Sequence, residues 1–494
     1  MEDYPKYSKR QFLKILGLGI AFLPLMSCFT SEENKTIVSN DAKDKNSEKP
    51  QLPEPNPDDI LLLQRHHDAY AQYNQGFNKR LHFLPKYIAV CFTEKGVQYA
   101  VQLAKQEQLP VAVKSGGHSF EGFSSNDGGL VINVSQMKAI HWLSEGEIEI
   151  QPGVLLQDLH QELFPKNKLL PTGSCGTVAI AGLTLGGGYG FFSRKFGLTC
   201  DSLQEIKLVT ADGKTHSTKE DSQLLWACKG GGNGNFGVVT TFRFSLFEAP
   251  ESFSTLTLKF RNLNPSRFSD LLHLWFTQTE LLDKEAFSAF VLNGQTLTIL
   301  ATTYGNSQVL EQQMTPLVSQ ADKATRNFHQ TLVVAMKRYY GRKGPINFKN
   351  ASAGMYQQQQ DLSGIEEALF NLVKNTPGII FQINTLGGDI ADPSFERASS
   401  FPHRGLPYLG ELQAYWDQDE REPELLKAFS NIQALIEQQG IRAHYRNYPD
   451  IHFSNWEQAY YGTAYKKLQQ IKRKYDPENL FQYPQSIQPD IEMT

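Results

Sequence analysis

Val113-Lys114-Ser115-Gly116-Gly117-His118-Ser119-Phe120-Glu121-Gly122 is the stretch on which the fold turns. It continues the apolar run Val111-Ala112-Val113, which predicts a strand, and sets two glycines where the chain must reverse. Glycine admits backbone angles closed to other residues and lets the main chain approach a ligand closely. Successive N–H groups of such a turn form a concave anion site suited to a pyrophosphate. A tight hairpin with a surface histidine would read the same way, so the companions of this turn decide its meaning.

The first companion is Gly173-Ser174-Cys175-Gly176-Thr177-Val178, a cysteine at the mouth of the glycine-rich run Gly182-Leu183-Thr184-Leu185-Gly186-Gly187-Gly188-Tyr189-Gly190. A third run, Gly230 to Gly237, contains a literal G-x-G-x-x-G at Gly232, Gly234 and Gly237. A Rossmann fingerprint needs a strand before it and a helix after it. Here Val238-Val239-Thr240-Thr241-Phe242 follows, which reads as a strand, so a nicotinamide site is disfavoured.

Composition narrows the class. The chain has 494 residues, enough for two or three domains, with 40% hydrophobic and 20% charged residues and a net charge of −4. There is no basic surplus to track nucleic-acid phosphates. At the N-terminus, Lys6, Lys9, Arg10 and Lys14 precede the apolar stretch Ile15–Met26, which is short for a membrane span. Leu25-Met26-Ser27-Cys28 resembles a bacterial lipobox, whose Cys is acylated, and Ser8–Lys14 resembles a twin-arginine export signal with Lys in place of the first Arg. The expectation is a signal at 1–28 and an extracytoplasmic envelope protein held to the membrane by lipid at Cys28. The alternative is an ordinary export signal. Residues 29–57 are polar and Pro-containing, a disordered tether.

The remainder predicts an α+β protein. A helix is expected after Asp58-Asp59, through Ile60-Leu61-Leu62-Leu63. Strands are expected at Tyr87–Cys91, Val111–Val113, Leu130–Val134, Ile148–Ile150, Ile206–Thr210 and Val238–Leu246, with helices at Lys95–Glu107 and Leu155–Leu163. Near Pro250 the glycine-rich loops thin out. Residues 251–446 read as a second domain with an antiparallel sheet, including Leu256–Phe260, Leu297–Ala301 and the helix Leu425–Gln439.

Taken together, the motifs resemble the berberine-bridge-enzyme-like branch of the vanillyl-alcohol-oxidase flavoproteins. The resemblance covers nearly all of residues 75–490. It rests on Phe77-Asn78-Lys79-Arg80, Val113–Gly122, Cys175–Gly190, Ser193–Thr199 with Asp201, Asn235–Val239, Phe401-Pro402-His403-Arg404, Asn447-Tyr448-Pro449-Asp450, Tyr460-Tyr461-Gly462 and Lys474–Phe481. It implies an FAD-binding domain of the PCMH type at 58–250, a substrate domain at 251–446 and a C-terminal segment at 447–494 that returns to the FAD domain.

The resemblance also implies site residues. His118 would bond through a ring nitrogen to the 8α-methyl of FAD, and Cys175 would form a second bond at C6. Lys114, Ser115, Gly116, Gly117, Ser119, Thr177, Val178, Gly182, Gly186, Gly187, Gly188, Gly190, Asn235, Gly237 and Val239 would surround the cofactor, and Val178 favours an oxidase. With Cys28 and Cys175 so used, Cys91, Cys200 and Cys228 allow at most one disulfide, and buried thiols are expected. Tyr448 matches the family's tyrosine base. Asn384 stands where some relatives carry a partner to it, and Glu411 and Gln413 are further wall candidates. Lys114 for Arg, Ala179 and Ala181 for Gly, and Ala464 for Asn depart from the family pattern.

The implied reaction is oxidation of an alcohol or hemiacetal, with O2 reduced to H2O2 and an oligosaccharide as first guess. Oxidation of a secondary metabolite, or a non-catalytic binding lipoprotein, are the alternatives. Trp275, Tyr339, Tyr340 and Trp416 are offered as sugar-stacking aromatics or as ordinary core. His66-His67 is adjacent rather than spaced for ligation, and no metal is assigned.

Overall fold

In the computed structural model, which describes residues 52–490, the glycine–histidine turn leaves the end of a short strand at the edge of a four-stranded sheet. That sheet comprises β1 (Ile60–Leu63), β2 (Tyr87–Cys91), β3 (Val111–Lys114) and β4 (Leu130–Asn133), in the order β1-β2-β4-β3. β4 runs parallel to β2 and β3, and β1 is antiparallel to β2. The helix Glu94–Glu107 follows β2, with its first turn capped by Thr93 Oγ1, which accepts from the Gly96 N–H. Cys28 and the signal assigned to residues 1–28 lie outside the described residues. Among the described residues no helix is long and apolar enough to cross a membrane.

The expected helix at Ile60 is instead strand β1, registered Ile60 to Cys91 through Leu63 to Ile88. A four-residue apolar run has no period to separate helix from strand. Pairing decides it here, and the first described helix comes later, at Tyr70–Asn74.

β5 (Ile140–Ser144), β6 (Glu147–Ile150), β7 (Lys168–Leu169), β8 (Leu203–Val209), β9 (Thr215–Ser217), β10 (Val238–Ser245) and β11 (Phe247–Glu248) come next. Five of them form an antiparallel sheet of order β5-β6-β10-β8-β9, while β7 and β11 pair separately. Gly237, which precedes β10, lies so close to β8 that a Cβ would stand 2.4 Å from the Val209 carbonyl oxygen. That crowding is what demands glycine in the false Rossmann motif.

A seven-stranded antiparallel sheet follows, from β12 (Phe253–Phe260), β13 (Ala286–Asn293), β14 (Thr296–Thr303), β15 (Lys323–Gln330), β16 (Asn347–Tyr356), β17 (Ile379–Thr385) and β18 (Tyr408–Trp416). Its order is β15-β12-β14-β13-β17-β18-β16. Strand alternation gives it two unlike faces. Phe381 and Ile383 of β17 and Leu412, Ala414 and Trp416 of β18 pack in one core with residues of the helices Pro265–Glu280, Glu366–Asn375 and Glu422–Gln438. Gln382 and Asn384, then Glu411, Gln413 and Tyr415, take the opposite parity. Trp275 belongs to the same core, fully buried with its Nε1 donating to Ser288 Oγ at 2.9 Å. Trp275 and Trp416 are therefore core residues and do not offer faces to a sugar.

The C-terminal segment returns to the first sheet. Phe481 bridges to Val111, and the buried Lys472 Nζ donates to the carbonyls of Asn235 and Phe481 while pairing with Asp476. Cys91, Cys200 and Cys228 are buried free thiols.

Candidate active site

The glycine–histidine turn is held from behind. Lys114 Nζ donates to the carbonyls of Tyr73, Asn74 and Gln75 at 2.8, 3.1 and 2.7 Å. It thus closes the carbonyl end of the helix Tyr70–Asn74, where a cation is favoured, and does not project as a free phosphate ligand. Burial pulls its amine down to about 8. Ser115 Oγ donates to the Pro152 carbonyl, and Ser119 Oγ accepts from the Phe123 N–H. These three side chains serve the turn itself, so what the turn can offer a pyrophosphate is main-chain N–H groups. Gly117 has φ +70°, a left-handed angle that a side chain would strain. At Gly116 a Cβ would stand 2.8 Å from the Ala179 nitrogen.

His118 stacks on Phe77, with ring centroids 4.1 Å apart. Its Nε2 shares a hydrogen bond with Thr177 Oγ1 at 3.1 Å, and Thr177 Oγ1 lies 3.7 Å from Cys175 Sγ. Residues 57 to 59 positions apart in sequence thus form one His–Thr–Cys cluster. Burial pulls the His118 imidazole down to about 4, so it is neutral at physiological pH. Tyr340 crowds this cluster: its carbonyl accepts from the Gly176 N–H, and its ring lies 2.8 Å from where a Gly176 Cβ would be. Val178 is half-buried beside it.

The glycine run supplies close packing more than open backbone. A Cβ at Gly186 would meet Asn447 Oδ1 at 2.0 Å, and one at Gly190 would meet the Thr172 carbonyl oxygen at 2.0 Å. Gly187 and Gly188 are similarly covered by Phe401 and Thr199, whereas a Cβ at Gly182 would meet nothing within 4 Å. Asn235 is fully buried and its amide is committed to protein: Nδ2 donates to the Gly231 carbonyl, and Oδ1 accepts from Tyr483 and the Ile487 N–H. Val239 is buried in β10. The Asn235 and Val239 side chains are therefore spent on bonds and packing within the protein, and Gly237 on its close approach to β8.

Tyr448 arrives on the C-terminal segment. Its carbonyl accepts from the Ser352 N–H of β16, and its ring stacks on Phe120, two residues beyond His118, at 5.1 Å. Its phenol shares a 2.9 Å hydrogen bond with Tyr189. Asn384 Nδ2 donates at 3.2 Å to Tyr189, not to Tyr448 as its expected role required. Behind Asn384 the bonds continue across the polar face of the large sheet. Gln382 Nε2 donates to Asn384 Oδ1, Gln413 Nε2 to Gln382 Oε1, Tyr415 to Gln413 Oε1, and Asn350 Nδ2 to Tyr415.

Tyr189 was not singled out from the sequence. It sits between Gly188 and Gly190, in a run read for its backbone. A lone aromatic among glycines was the available signal. Burial, with the nearby charge of Glu411, drives both the Tyr189 and Tyr448 phenols well above the ordinary tyrosine value. Among the described residues, no group of three or more His, Cys, Asp or Glu could hold a metal.

A buried ion cluster joins the parts. Lys349 Nζ of β16 contacts Glu121 Oε1 of the His118 turn and lies 2.8 Å from Asp450 Oδ1, two residues past Tyr448. Arg80 bonds the other Glu121 oxygen at 2.9 Å.

The Gly-Gly-His turn, the His–Thr–Cys cluster and the open space at Gly182 suit a flavin dinucleotide. Residues 85–219 match the family model described as an FAD binding domain, and residues 444–488 match that described as berberine and berberine like. The protein is thus an FAD-linked oxidoreductase. By these two matches it resembles the berberine-bridge-enzyme-like flavoproteins.

An uncharacterised FAD-linked oxidoreductase of Bacillus subtilis, YgaK, is 26% identical over 446 residues, covering 87% of this chain and 96% of the relative. A chitooligosaccharide oxidase of Gibberella zeae is 28% identical over 452 residues, covering 85% and 91%. A solved structure of a chitooligosaccharide oxidase superposes with a TM-score of 0.79 at 25% identity, covering 87% of this chain and 98% of the other.

Proposed function

We propose that the protein is an FAD-dependent oxidase of a hydroxylated small molecule, an oligosaccharide in the first instance, with Tyr448 receiving the hydroxyl proton. The observation that carries this reading is the Tyr448–Tyr189 phenol pair, stacked through Phe120 onto the turn that bears His118. The similarity to a chitooligosaccharide oxidase supports a carbohydrate. Bound FAD would supply a two-electron acceptor for the hydride of the alcohol carbon and would return those electrons to O2 as H2O2.

The residues present suit covalent attachment at two points. Thr177 engages His118 Nε2, which leaves Nδ1 as the ring nitrogen for the flavin. The low pKa keeps that imidazole neutral and nucleophilic. Cys175 Sγ lies on the far side of the same Thr177 hydroxyl. Tyr340, half-buried against Gly176, is the aromatic that would border a sugar.

Two linked measurements test the proposal. Acid precipitation should leave the yellow colour in the protein pellet. Cys175→Ala should keep its flavin bound through His118, and only the double variant with His118→Ala should release all of it. A peroxide-release screen should then find turnover with sugars bearing a free hemiacetal. Flavin wholly in the supernatant of the wild type would defeat the covalent reading, and a peroxide-silent, flavin-loaded enzyme would defeat the oxidase reading.

A further inference from the structure

Residues 323–360 carry seven Lys and Arg and no Asp or Glu, in a chain whose net charge is −4. A charge run of this kind is ordinarily a solvated face, so its meaning depends on where the charges stand. Lys323 and Arg326 lie on the edge strand β15, where Arg326 pairs with Glu311. Lys349 of β16 is buried against Glu121 and Asp450. Four cations remain. Lys337, Arg338 and Lys343 are exposed, and Arg342 is half-buried. Among the described residues, the three exposed ones form no ion pair.

These four lie on one strap, which is tied down on both sides of the proposed flavin site. On one side, the Tyr340 carbonyl accepts from the Gly176 N–H at 3.0 Å, and a Cβ on Gly341 would stand 3.7 Å from Cys175 Sγ. On the other, the Ile346 N–H donates to the Phe77 carbonyl at 3.0 Å, and the Ile346 carbonyl accepts from the Lys79 N–H at 2.8 Å. Phe77 is the ring that stacks on His118. Arg342 and Lys343 thus sit on the stretch that joins the Cys175 side of the site to the His118 side.

Arg342 reaches the polar face of the large sheet. Burial and then the charge of Glu411 dominate at the Tyr415 phenol, but Cys175 and the Arg342 guanidinium also act on it. Tyr415 stands near the far end of the row of hydrogen bonds that starts at Tyr448 and runs through Tyr189, Asn384, Gln382 and Gln413. A substrate whose reacting hydroxyl meets Tyr448 and whose body follows that row brings its further substituents to Arg342.

A guanidinium matches a carboxylate or a sulfate with two parallel N–H bonds. Its five donors leave some for a ligand beyond any contact inside the protein. Glu411 does not cancel that charge at neutral pH, because burial pushes its carboxyl up to about 8. Asp158, which acts on Tyr340, sets one exposed negative charge against the four positive ones.

Resting on the oxidase reading above, we infer that the substrate is an anionic sugar, an oligosaccharide bearing carboxylate or sulfate groups, with Arg342 binding an anionic group and Lys337, Arg338 and Lys343 drawing it to the site. A field of one sign at the mouth of a site raises the local concentration and the association rate of an oppositely charged substrate, and salt weakens it.

The test uses the flavin-loaded enzyme and three trimers of the same linkage: glucose, glucuronic acid and sulfated glucose. One of the two anionic trimers should exceed the neutral one in kcat/KM by about 10-fold or more, and which of them does so separates carboxylate from sulfate. Arg342→Gln should reduce that preference by about 10- to 100-fold, the range of one charge-assisted hydrogen bond. Arg342→Lys should restore part of it. Lys343→Glu, on an exposed side chain, should reduce it with flavin content and unfolding midpoint unchanged. Raising salt from about 0.01 M to about 1 M, which shortens the screening length from about 30 to about 3 Å, should erase most of it.

A second readout needs no turnover. Methyl glycosides of the same trimers, which lack a free hemiacetal, should perturb the flavin spectrum with a lower Kd for the anionic than for the neutral compound. A wild type that shows this difference but oxidises no sugar fails the oxidase reading alone. Equal Kd values for the neutral and anionic glycosides overturn the inference. So does a preference unmoved in both Arg342→Gln and Lys343→Glu. Capture of the protein by phosphatidylserine vesicles, abolished in Lys343→Glu and accompanied by no preference among the sugars, would assign the strap to a lipid surface instead.

Discussion

Tyr448→Phe should lower kcat by about 10²- to 10⁴-fold, the usual cost of removing a positioned acid–base group, with little change in KM. Phenylalanine keeps the ring stacked on Phe120 and edge-on to Tyr445 and deletes only the hydroxyl that meets Tyr189 at 2.9 Å. Flavin content, the absorbance spectrum and thermal stability should stay near wild type, because packing is preserved and Asn384 still donates to Tyr189. Anaerobic single-turnover reduction of the flavin should slow by the same factor as steady-state turnover, which places the defect in proton removal and not in reoxidation. A variant with kcat within threefold of wild type would show that Tyr448 is a wall residue only.

The second large effect falls on stability. Lys349→Met should cost about 3–5 kcal/mol, the range for removing one partner of a buried ion pair. Methionine fills much of the same space, but Asp450 is then left buried without its cation, and Glu121 keeps Arg80 as its cation and the Ile451 N–H. Burial would raise the Asp450 carboxyl, yet the charge and hydrogen bond of Lys349 hold it below the usual range. The contribution of this pair is therefore present above the unfolded carboxylate value of about 3.9 and is lost as pH falls through the lower, folded one. Denaturant unfolding of the flavin-loaded protein at neutral pH reads the loss. A midpoint unchanged between Lys349→Met and wild type would mean that the cluster is offset elsewhere.

The residue types of the site were largely legible in the sequence, but their partners were not. His118 and Cys175 stand out because a histidine after two glycines and a cysteine before a glycine run are unusual neighbours. That Thr177 lies between them is a fact of folding. Lys114 shows the limit most clearly. Next to an anion-binding turn a lysine suggests a phosphate ligand, and only the arrival of the helix Tyr70–Asn74 reveals that its amine is spent on three carbonyls.

Asn384 was read as a partner to Tyr448, whereas its amide donates to Tyr189, which was hidden among glycines. Trp416 could have been excluded from the outset. It shares strand parity with Leu412 and Ala414, whereas Glu411, Gln413 and Tyr415 share the other. The strand Ile60–Leu63 was open to either reading because its four apolar residues carry no period, and its β2 partner begins 24 residues downstream, at Tyr87.

Tyr189 and Tyr448 meet although they are 259 residues apart in the chain, and Phe481 closes onto Val111. Contacts of such sequence separation form late, since loop closure must be met before they stabilise anything. During synthesis, the turn that bears His118 emerges from the ribosome long before the residues that will face it, and the segment 445–481 has to arrive before the pocket has its last wall. Any attachment of flavin that depends on a finished site must therefore wait for that segment.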